Sequence, residues 1–126
     1  MTTVSFPTSF AELEAVELPG AVLDLEGRFL AMNAAGARLL GRPVAAILGR
    51  MVSEIAPGIE YLWDERVAAA RAPGGRTFEI AIATAAGARM IEYIVAVYEL
   101  EGEHCAVAFV TAQRPLGSEH DRDGSR

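Results

Sequence analysis

Residues 18–42 read LPGAVLDLEGRFLAMNAAGARLLGR, and the hydrophobic periodicity changes in the middle of this stretch. The first half alternates around Glu26-Gly27, which predicts a β-hairpin over residues 21–32. From Asn33 onward the pattern is helical, with Asn33 as the candidate N-terminal cap and Gly41 as the stop signal. The stretch therefore predicts a hairpin followed directly by a short, alanine-rich helix.

Around this stretch, the sequence predicts further short helices and then three long strands. Ser9 and Glu12 form a capping-box pattern at the start of an N-terminal helix over residues 7–17. Proline and glycine residues separate the later elements. The other helices are expected over residues 44–48, 52–55 and 59–72, and the strands over residues 77–84, 89–100 and 104–112.

This order of elements predicts one α+β domain with a five-stranded antiparallel sheet and short helices on one face. We divide the chain into an N-terminal helix or cap over residues 1–17, a sheet domain over residues 18–113 and a tail over residues 114–126. The tail is polar and lacks periodicity, so we expect it to be disordered. No internal repeat indicates a second domain.

Composition limits the function classes. The chain of 126 residues is 52% hydrophobic, and its net charge of −6 argues against nucleic acid or an anionic membrane as a partner. The N-terminus has neither a basic region nor a long apolar run, so we predict no secretory signal and no membrane span. The single cysteine excludes an internal disulfide and fits a reducing compartment. We therefore expect a soluble, cytoplasmic protein.

Residues with catalytic or metal-binding chemistry are few. His104, Cys105 and the distant His120 form no recognisable metal set. No carboxylate or serine stands at a spacing that pairs it with a base. Cys105 is expected to be a small strand residue rather than a redox sensor. We predict a non-enzymatic protein without a cofactor, and a small hydrolase or isomerase is the least favoured function.

Several stretches in this order resemble a PAS domain. They are residues 18–42, VAAILGRMVSEIAP at residues 44–57, RTFEIAIAT at residues 76–84, and the final strand pair. The resemblance covers about residues 18–113. It implies a five-stranded sheet cupped around short helices, and a sensing or protein-docking role in signal transduction rather than catalysis.

Within that family, the motif spacing is most similar to that of photoactive yellow protein. The departures from its pattern fall on the chromophore site. The chromophore cysteine would fall at Gly58, the buried acid at Gly36 and the phenolate-binding tyrosine at Met32. Gly58 offers no thiolate, so the resemblance implies that a thioester-linked chromophore is absent. Arg42 matches an arginine of that pocket.

The resemblance and the many small residues together indicate a candidate pocket between the helices and the sheet. An open pocket would be apolar and would suit a hydrophobic ligand, whereas close packing of the small residues would collapse it. Trp63 and Tyr93 could stack on a planar ligand, so a haem- or flavin-binding sensor is the alternative function, although helix 59–72 has no histidine. The candidate pocket residues are Met32, Leu40, Arg42, Met51, Trp63, Ile80, Ile82 and Tyr93.

The sequence also indicates an interaction surface. The strand over residues 89–100 is apolar on both faces, and the helices can cover only one of them. We therefore expect a homodimer, or a docked signalling partner, on the outer sheet face and the N-terminal helix. A monomer whose own helix covers that face is the alternative. The candidate surface residues are Phe10, Leu13, Val16, Val95 and Val97.

Overall fold

The computed structural model describes residues 5–116, which fold around one five-stranded antiparallel sheet. The order of the strands across the sheet is β2-β1-β5-β4-β3, so the first hairpin pairs with the last strand. This architecture confirms the predicted α+β class. The strands are β1 (Gly20–Leu23), β2 (Phe29–Met32), β3 (Arg76–Thr84), β4 (Gly87–Leu100) and β5 (Glu103–Pro115).

In the described part of the chain, four short α-helices and two 3-10 turns complete the fold. The Asn33 side chain caps its helix by accepting a hydrogen bond from the Gly36 N–H, and Gly41 ends the helix with a φ of 72°. Both signals act as the sequence predicts. The helices are α1 (Phe10–Leu13), α2 (Ala34–Leu40), α3 (Val44–Ile47) and α4 (Trp63–Ala70), and the 3-10 turns are Val52–Glu54 and Ile59–Tyr61.

Three element boundaries differ from the expectation. Helix α1 is a single turn rather than residues 7–17, because the carbonyl groups of Leu13 and Val16 bond to the Asn33 amide. The region of residues 59–72 divides at Leu62, whose φ of −116° departs from helical geometry. Strand β5 runs to Pro115, into the expected tail, because it pairs with the start of β4. Residues 117–126 of the tail lie outside the described residues.

The two faces of the sheet carry separate apolar clusters. We call the side covered by α2, α3 and α4 the inner face, and the side covered by residues 6–18, the N-terminal segment, the outer face. The inner cluster contains residues from all five strands and from the helices. The buried residues of the outer cluster are Leu13, Val22, Leu100, Cys105, Val107 and Phe109. Each face therefore has its own cover and its own core. Within residues 5–116, no helix is long and apolar enough to cross a membrane.

Candidate ligand cavity

A cavity of about 110 Å³ lies between the inner face and the helices that cover it. All five strands contribute to its wall, and so do α2, Trp63 at the start of α4, and both 3-10 turns. The wall side chains are apolar or aromatic. The cavity is therefore part of the inner core rather than a groove between charged loops.

Small residues explain both the close packing at one end of the cavity and the space elsewhere. A Cβ atom at Gly36 would lie 2.8 Å from Cγ of Met32, so only glycine lets α2 approach the hairpin this closely. Ala56 and Ala108 also line the cavity, and each contributes only a single methyl group to its wall. The sequence leaves two alternatives, an open pocket and a collapsed one. Helix α2 and the hairpin are in close contact at Gly36. The rest of the pocket is open.

The structure places six of the eight candidate pocket residues on the cavity wall. Arg42 lies elsewhere, because it follows the Gly41 cap and is exposed. Met51 is also elsewhere, because it forms an isolated bridge with Arg28 and lies under the hairpin turn at Gly27. The six residues on the wall are Met32, Leu40, Trp63, Ile80, Ile82 and Tyr93.

Sequence reasoning missed other wall residues. Ile91 and Val95 lie on the same face of β4 as Tyr93, and the two-residue period of a strand could have identified them. The hydrophobic spacing around the 3-10 turns gave no comparable signal. The missed residues there and on the hairpin include Leu23, Phe29, Val52, Ile55 and Ile59.

The assignment of Val95 and Val97 to the partner surface is wrong. Val95 is 5% exposed and belongs to the inner cluster, and Val97 packs against the same cluster. The N-terminal segment lies on the opposite face, where Ile94 and Tyr98 of β4 contact the outer cluster. Alternation shows which strand residues share a face, but it does not show which face is covered by helices.

The N-terminal residues of the candidate surface, Phe10, Leu13 and Val16, pack against other residues of the same chain. Leu13 is 2% exposed and packs in the outer cluster, so its side chain is not available to a second copy. Phe10 and Val16 are half-buried against this cluster. The N-terminal segment of the described chain therefore packs on the outer face of its own sheet.

Asn33 links the N-terminal segment to the cavity wall through hydrogen bonds. Its side chain is 1% exposed, and its Oδ1 accepts hydrogen bonds from the N–H groups of Gly20 (2.9 Å) and Gly36 (2.8 Å). Its Nδ2 donates to the carbonyls of Leu13 (3.2 Å), Val16 (3.2 Å) and Leu18 (2.9 Å). Sequence reasoning found only the helix cap, because the other partners are distant along the chain.

Two aromatic residues of the wall, Trp63 and Tyr93, carry a polar atom. Each of these atoms is hydrogen-bonded to another group of the protein. The Trp63 indole N–H donates to the Leu25 carbonyl at 2.7 Å. Arg66 donates to the Tyr93 hydroxyl oxygen at 2.6 Å. Burial raises the pKa of Tyr93, and the hydrogen bond from Arg66 acts in the opposite direction. The Tyr93 hydroxyl is therefore protonated at neutral pH.

Within the described chain, the cavity wall offers no imidazole or thiolate to ligate a haem iron, and the cavity is small. It contains no histidine or cysteine, and about 110 Å³ is well below the roughly 300–1,000 Å³ of pockets that hold larger ligands. His104 is exposed on β5. Cys105 is buried in the outer cluster, and burial, with Glu103 and Asp24 nearby, raises the pKa of its thiol. Within residues 5–116, no group of three histidine, cysteine or acidic residues could hold a metal ion.

The structure also places Met32, Gly36 and Gly58, the positions that the sequence analysis matched to the chromophore site of photoactive yellow protein. Met32 and Gly36 lie on the cavity wall, where Met32 fills the space that a side chain at position 36 would need. Gly58 precedes the second 3-10 turn with a φ of 97°, a conformation that strains other residues. A cysteine at position 58 and a carboxylate at position 36 would both require the backbone or its neighbours to move.

Comparison with known proteins agrees with this geometry. The family model that describes the PAS fold matches residues 13–122. The chain is similar to the PAS domain of an HTR-like protein from Haloarcula marismortui, with a TM-score of 0.67 and 22% identity over 83% of this chain and 88% of that one. Among curated proteins, none matches the sequence significantly.

Two further solved structures show the same fold. The PAS domain of a Desulfitobacterium hafniense protein has a TM-score of 0.65 and 19% identity, over 79% of this chain and 95% of that one. The PAS domain of the nitrogen regulation protein NR(II) from Vibrio parahaemolyticus has a TM-score of 0.60 and 12% identity, over 85% and 96%.

Proposed function

Because the chain belongs to the PAS fold family, whose domains are sensory and signalling modules, we propose that it is a non-catalytic sensor of a small apolar molecule. The ligand binds in the inner cavity, and the N-terminal segment transmits the signal. We also propose a cytoplasmic location, in line with the single, buried cysteine.

The apolar cavity is the observation that carries this proposal. A volume of about 110 Å³ would hold water molecules, but a stable buried water needs polar partners, and the surface of the wall is almost entirely apolar. An apolar ligand would regain dispersion contacts that the wall atoms lack. The cavity therefore favours a hydrophobic molecule of about the size of one benzene ring over water.

The alternatives receive less support from the same geometry. A haem or flavin sensor would need a larger cavity, and the wall supplies no imidazole or thiolate to ligate a haem iron. A hydrolase or isomerase would need an acid–base pair, and the wall contains no carboxylate and no histidine. A role in binding therefore fits the wall better than a role in catalysis.

Binding can be tested with toluene and the single tryptophan. Trp63 is the only tryptophan of the chain and lies on the cavity wall, so its indole N–H signal in an NMR titration reports on this site. Toluene should shift that signal saturably. Ala108→Leu should abolish the shift by filling the cavity, whereas Ala112→Leu, at an exposed position of the same strand, should leave it unchanged. A wild-type signal that does not respond to toluene, benzene or indole would disprove the proposed function.

A second proposal concerns how the signal leaves the cavity. Asn33 stands between Met32 and the first turn of α2, both on the cavity side, and it also holds three carbonyl groups of the N-terminal segment. A ligand that displaces Met32 or Gly36 would disturb these hydrogen bonds of Asn33. We propose that the N-terminal segment then loosens and that the outer face becomes free for a signalling partner or a second copy of the chain.

The rate of thiol labelling tests this route, because Cys105 is fully buried in the outer cluster with Leu13. Saturating toluene should increase the labelling rate, and Leu13→Glu should increase it without ligand. Light scattering of Leu13→Glu should also show mass above the 13.4 kDa of one chain. A labelling rate that toluene leaves unchanged would contradict the route, while the cavity titration would still stand or fall separately.

A further inference from the structure

Arg66 of α4 is held at the edge of the cavity by two aromatic residues. Its Nη1 donates to the Tyr93 hydroxyl at 2.6 Å, and its Cζ lies 5.0 Å from the centre of the Phe78 ring. The Tyr93 ring itself lines the cavity, as does Trp63, one helical turn before Arg66. The guanidinium is therefore a direct neighbour of the cavity wall without lining the cavity itself.

This guanidinium has hydrogen-bonding capacity that the protein leaves unused. It carries five N–H donors, and its described hydrogen bond to a protein group uses one of them. Within residues 5–116, the ion pairs closer than 4.0 Å join Arg50 to Glu54 and Arg114 to Glu79, so no carboxylate neutralises Arg66. The side chain is half-buried beside the apolar cavity, and its remaining N–H donors are available to a ligand.

We propose that the ligand of this cavity carries a carboxylate, which binds Arg66 and the Tyr93 hydroxyl while its apolar part fills the cavity. This inference rests on the proposed ligand-binding function and specifies the class of ligand. The planar guanidinium matches the two oxygens of a carboxylate, and charge-assisted hydrogen bonds of this kind are strong. The Tyr93 oxygen accepts from Arg66, so its own proton is free to be donated to the ligand.

The cavity also limits the size and the charge of the ligand. About 110 Å³ suits one aromatic ring or a short alkyl chain. One guanidinium neutralises one negative charge, and the chain as a whole is acidic with a net charge of −6. A small aromatic or aliphatic monocarboxylate therefore fits better than a phosphate dianion.

Benzoate, benzamide and toluene form a suitable set of probes, because they share one ring and differ in the head group. Titration of each ligand into the full chain at neutral pH, followed by the Trp63 indole signal, gives three dissociation constants. We expect benzoate to bind at least about tenfold more tightly than toluene or benzamide, as hydrogen bonds to charged groups predict. High salt should weaken the binding of benzoate and leave that of toluene unchanged.

Variants then assign this preference to its residues. Arg66→Gln should bring benzoate to the affinity of benzamide while toluene binding is retained, and Tyr93→Phe should reduce the preference for benzoate in part. Arg71→Gln, at an exposed position just after α4, is the matched control and should change nothing.

The outcomes separate the two proposals. If toluene binds and benzoate binds no more tightly, the carboxylate inference is overturned and the apolar sensor remains. If none of the three ligands binds, the sensor proposal itself fails. The wild-type comparison and its salt dependence decide the matter even if Arg66→Gln does not fold.

Discussion

The two faces of the sheet are closed in different ways. A 13-residue segment with one turn of helix covers the outer face, yet this side contains most of the largest fully buried side chains, including Phe109, Leu100 and Val107. Three helices and two 3-10 turns cover the inner face, yet a cavity of about 110 Å³ remains there. The amount of covering structure therefore does not decide how well a face is packed.

The difference follows from what each cover contributes. The outer face receives aromatic and branched side chains, with Phe6 contacting the rings of both Tyr98 and Phe109. The inner face receives Gly36 and Ala56 from its cover and Ala108 from the sheet, and these residues fill little volume. The side chains that each cover contributes therefore decide how completely a face is filled.

The largest effect is expected where the two faces meet, at Asn33. Asn33→Ala would leave several buried backbone groups without partners, and we expect it to lower the free energy of unfolding by about 3–5 kcal/mol. Asn33→Ser is the control, because it keeps an acceptor for the helix cap and should recover part of the loss. Urea unfolding measures both. A loss below about 1 kcal/mol for Asn33→Ala would show that Asn33 does not hold the two faces together.

Removal of one large aromatic side chain from each face should reveal the difference in packing. Phe109→Ala on the outer face should cost about 3–5 kcal/mol, because the ring is fully buried. Trp63→Ala should cost less, about 1–3 kcal/mol, because Trp63 is half-buried and already borders a cavity. Equal losses in urea unfolding would contradict the contrast between the faces.

A smaller effect is expected at Tyr98, whose hydroxyl donates to the Pro7 carbonyl and ties the N-terminal segment to β4. Tyr98→Phe removes this hydrogen bond and should cost about 1 kcal/mol. It should also raise the Cys105 labelling rate by loosening the segment. Tyr93→Phe is a control for the labelling rate, because Tyr93 lies on the inner face.

Tyr98 also gives the outer face a dependence on alkaline pH. Burial, followed by the nearby Cys105 and Glu12, raises the pKa of Tyr98 to about 12 from its ordinary value of 10.0. The folded state therefore favours the neutral phenol. This contribution to stability is complete below pH 10 and is lost as the pH rises toward about 12. Thermal unfolding over this range should show a smaller loss for Tyr98→Phe than for the wild type, with a remainder from Tyr93, whose pKa is also raised.

Local signals predicted most of the fold from the sequence. Helix α2 begins after Asn33 and ends at Gly41, as these residue types indicate. The alternation of apolar residues located the ends of the long strands to within two or three residues. The family resemblance was confirmed by the match to the PAS fold. The assignment of faces could not be derived in the same way, since Val95 and Val97 alternate correctly but face the helices rather than the N-terminal segment.

The candidate site was predictable only in part. Apolar residues at strand and helix spacing led to Trp63, Ile80 and Tyr93, because periodicity identifies a core-facing position. Arg66 gave no signal, because an arginine on a helix usually indicates a solvent-facing side. Its place beside Tyr93 depends on the angle at which α4 crosses the sheet. The sequence pattern does not reveal this crossing angle.

The central claim, that space remains on the inner face and not on the outer one, is tested most directly by one matched pair of variants. Val95→Ile and Val107→Ile each add one methylene group to a buried valine, the first at the cavity wall and the second in the outer cluster. In urea unfolding, Val95→Ile should be neutral or stabilising by up to about 1 kcal/mol, because it fills part of the cavity. Val107→Ile should cost about 1–3 kcal/mol, because it overpacks a full core. Equal costs, or a larger cost for Val95→Ile, would contradict the account.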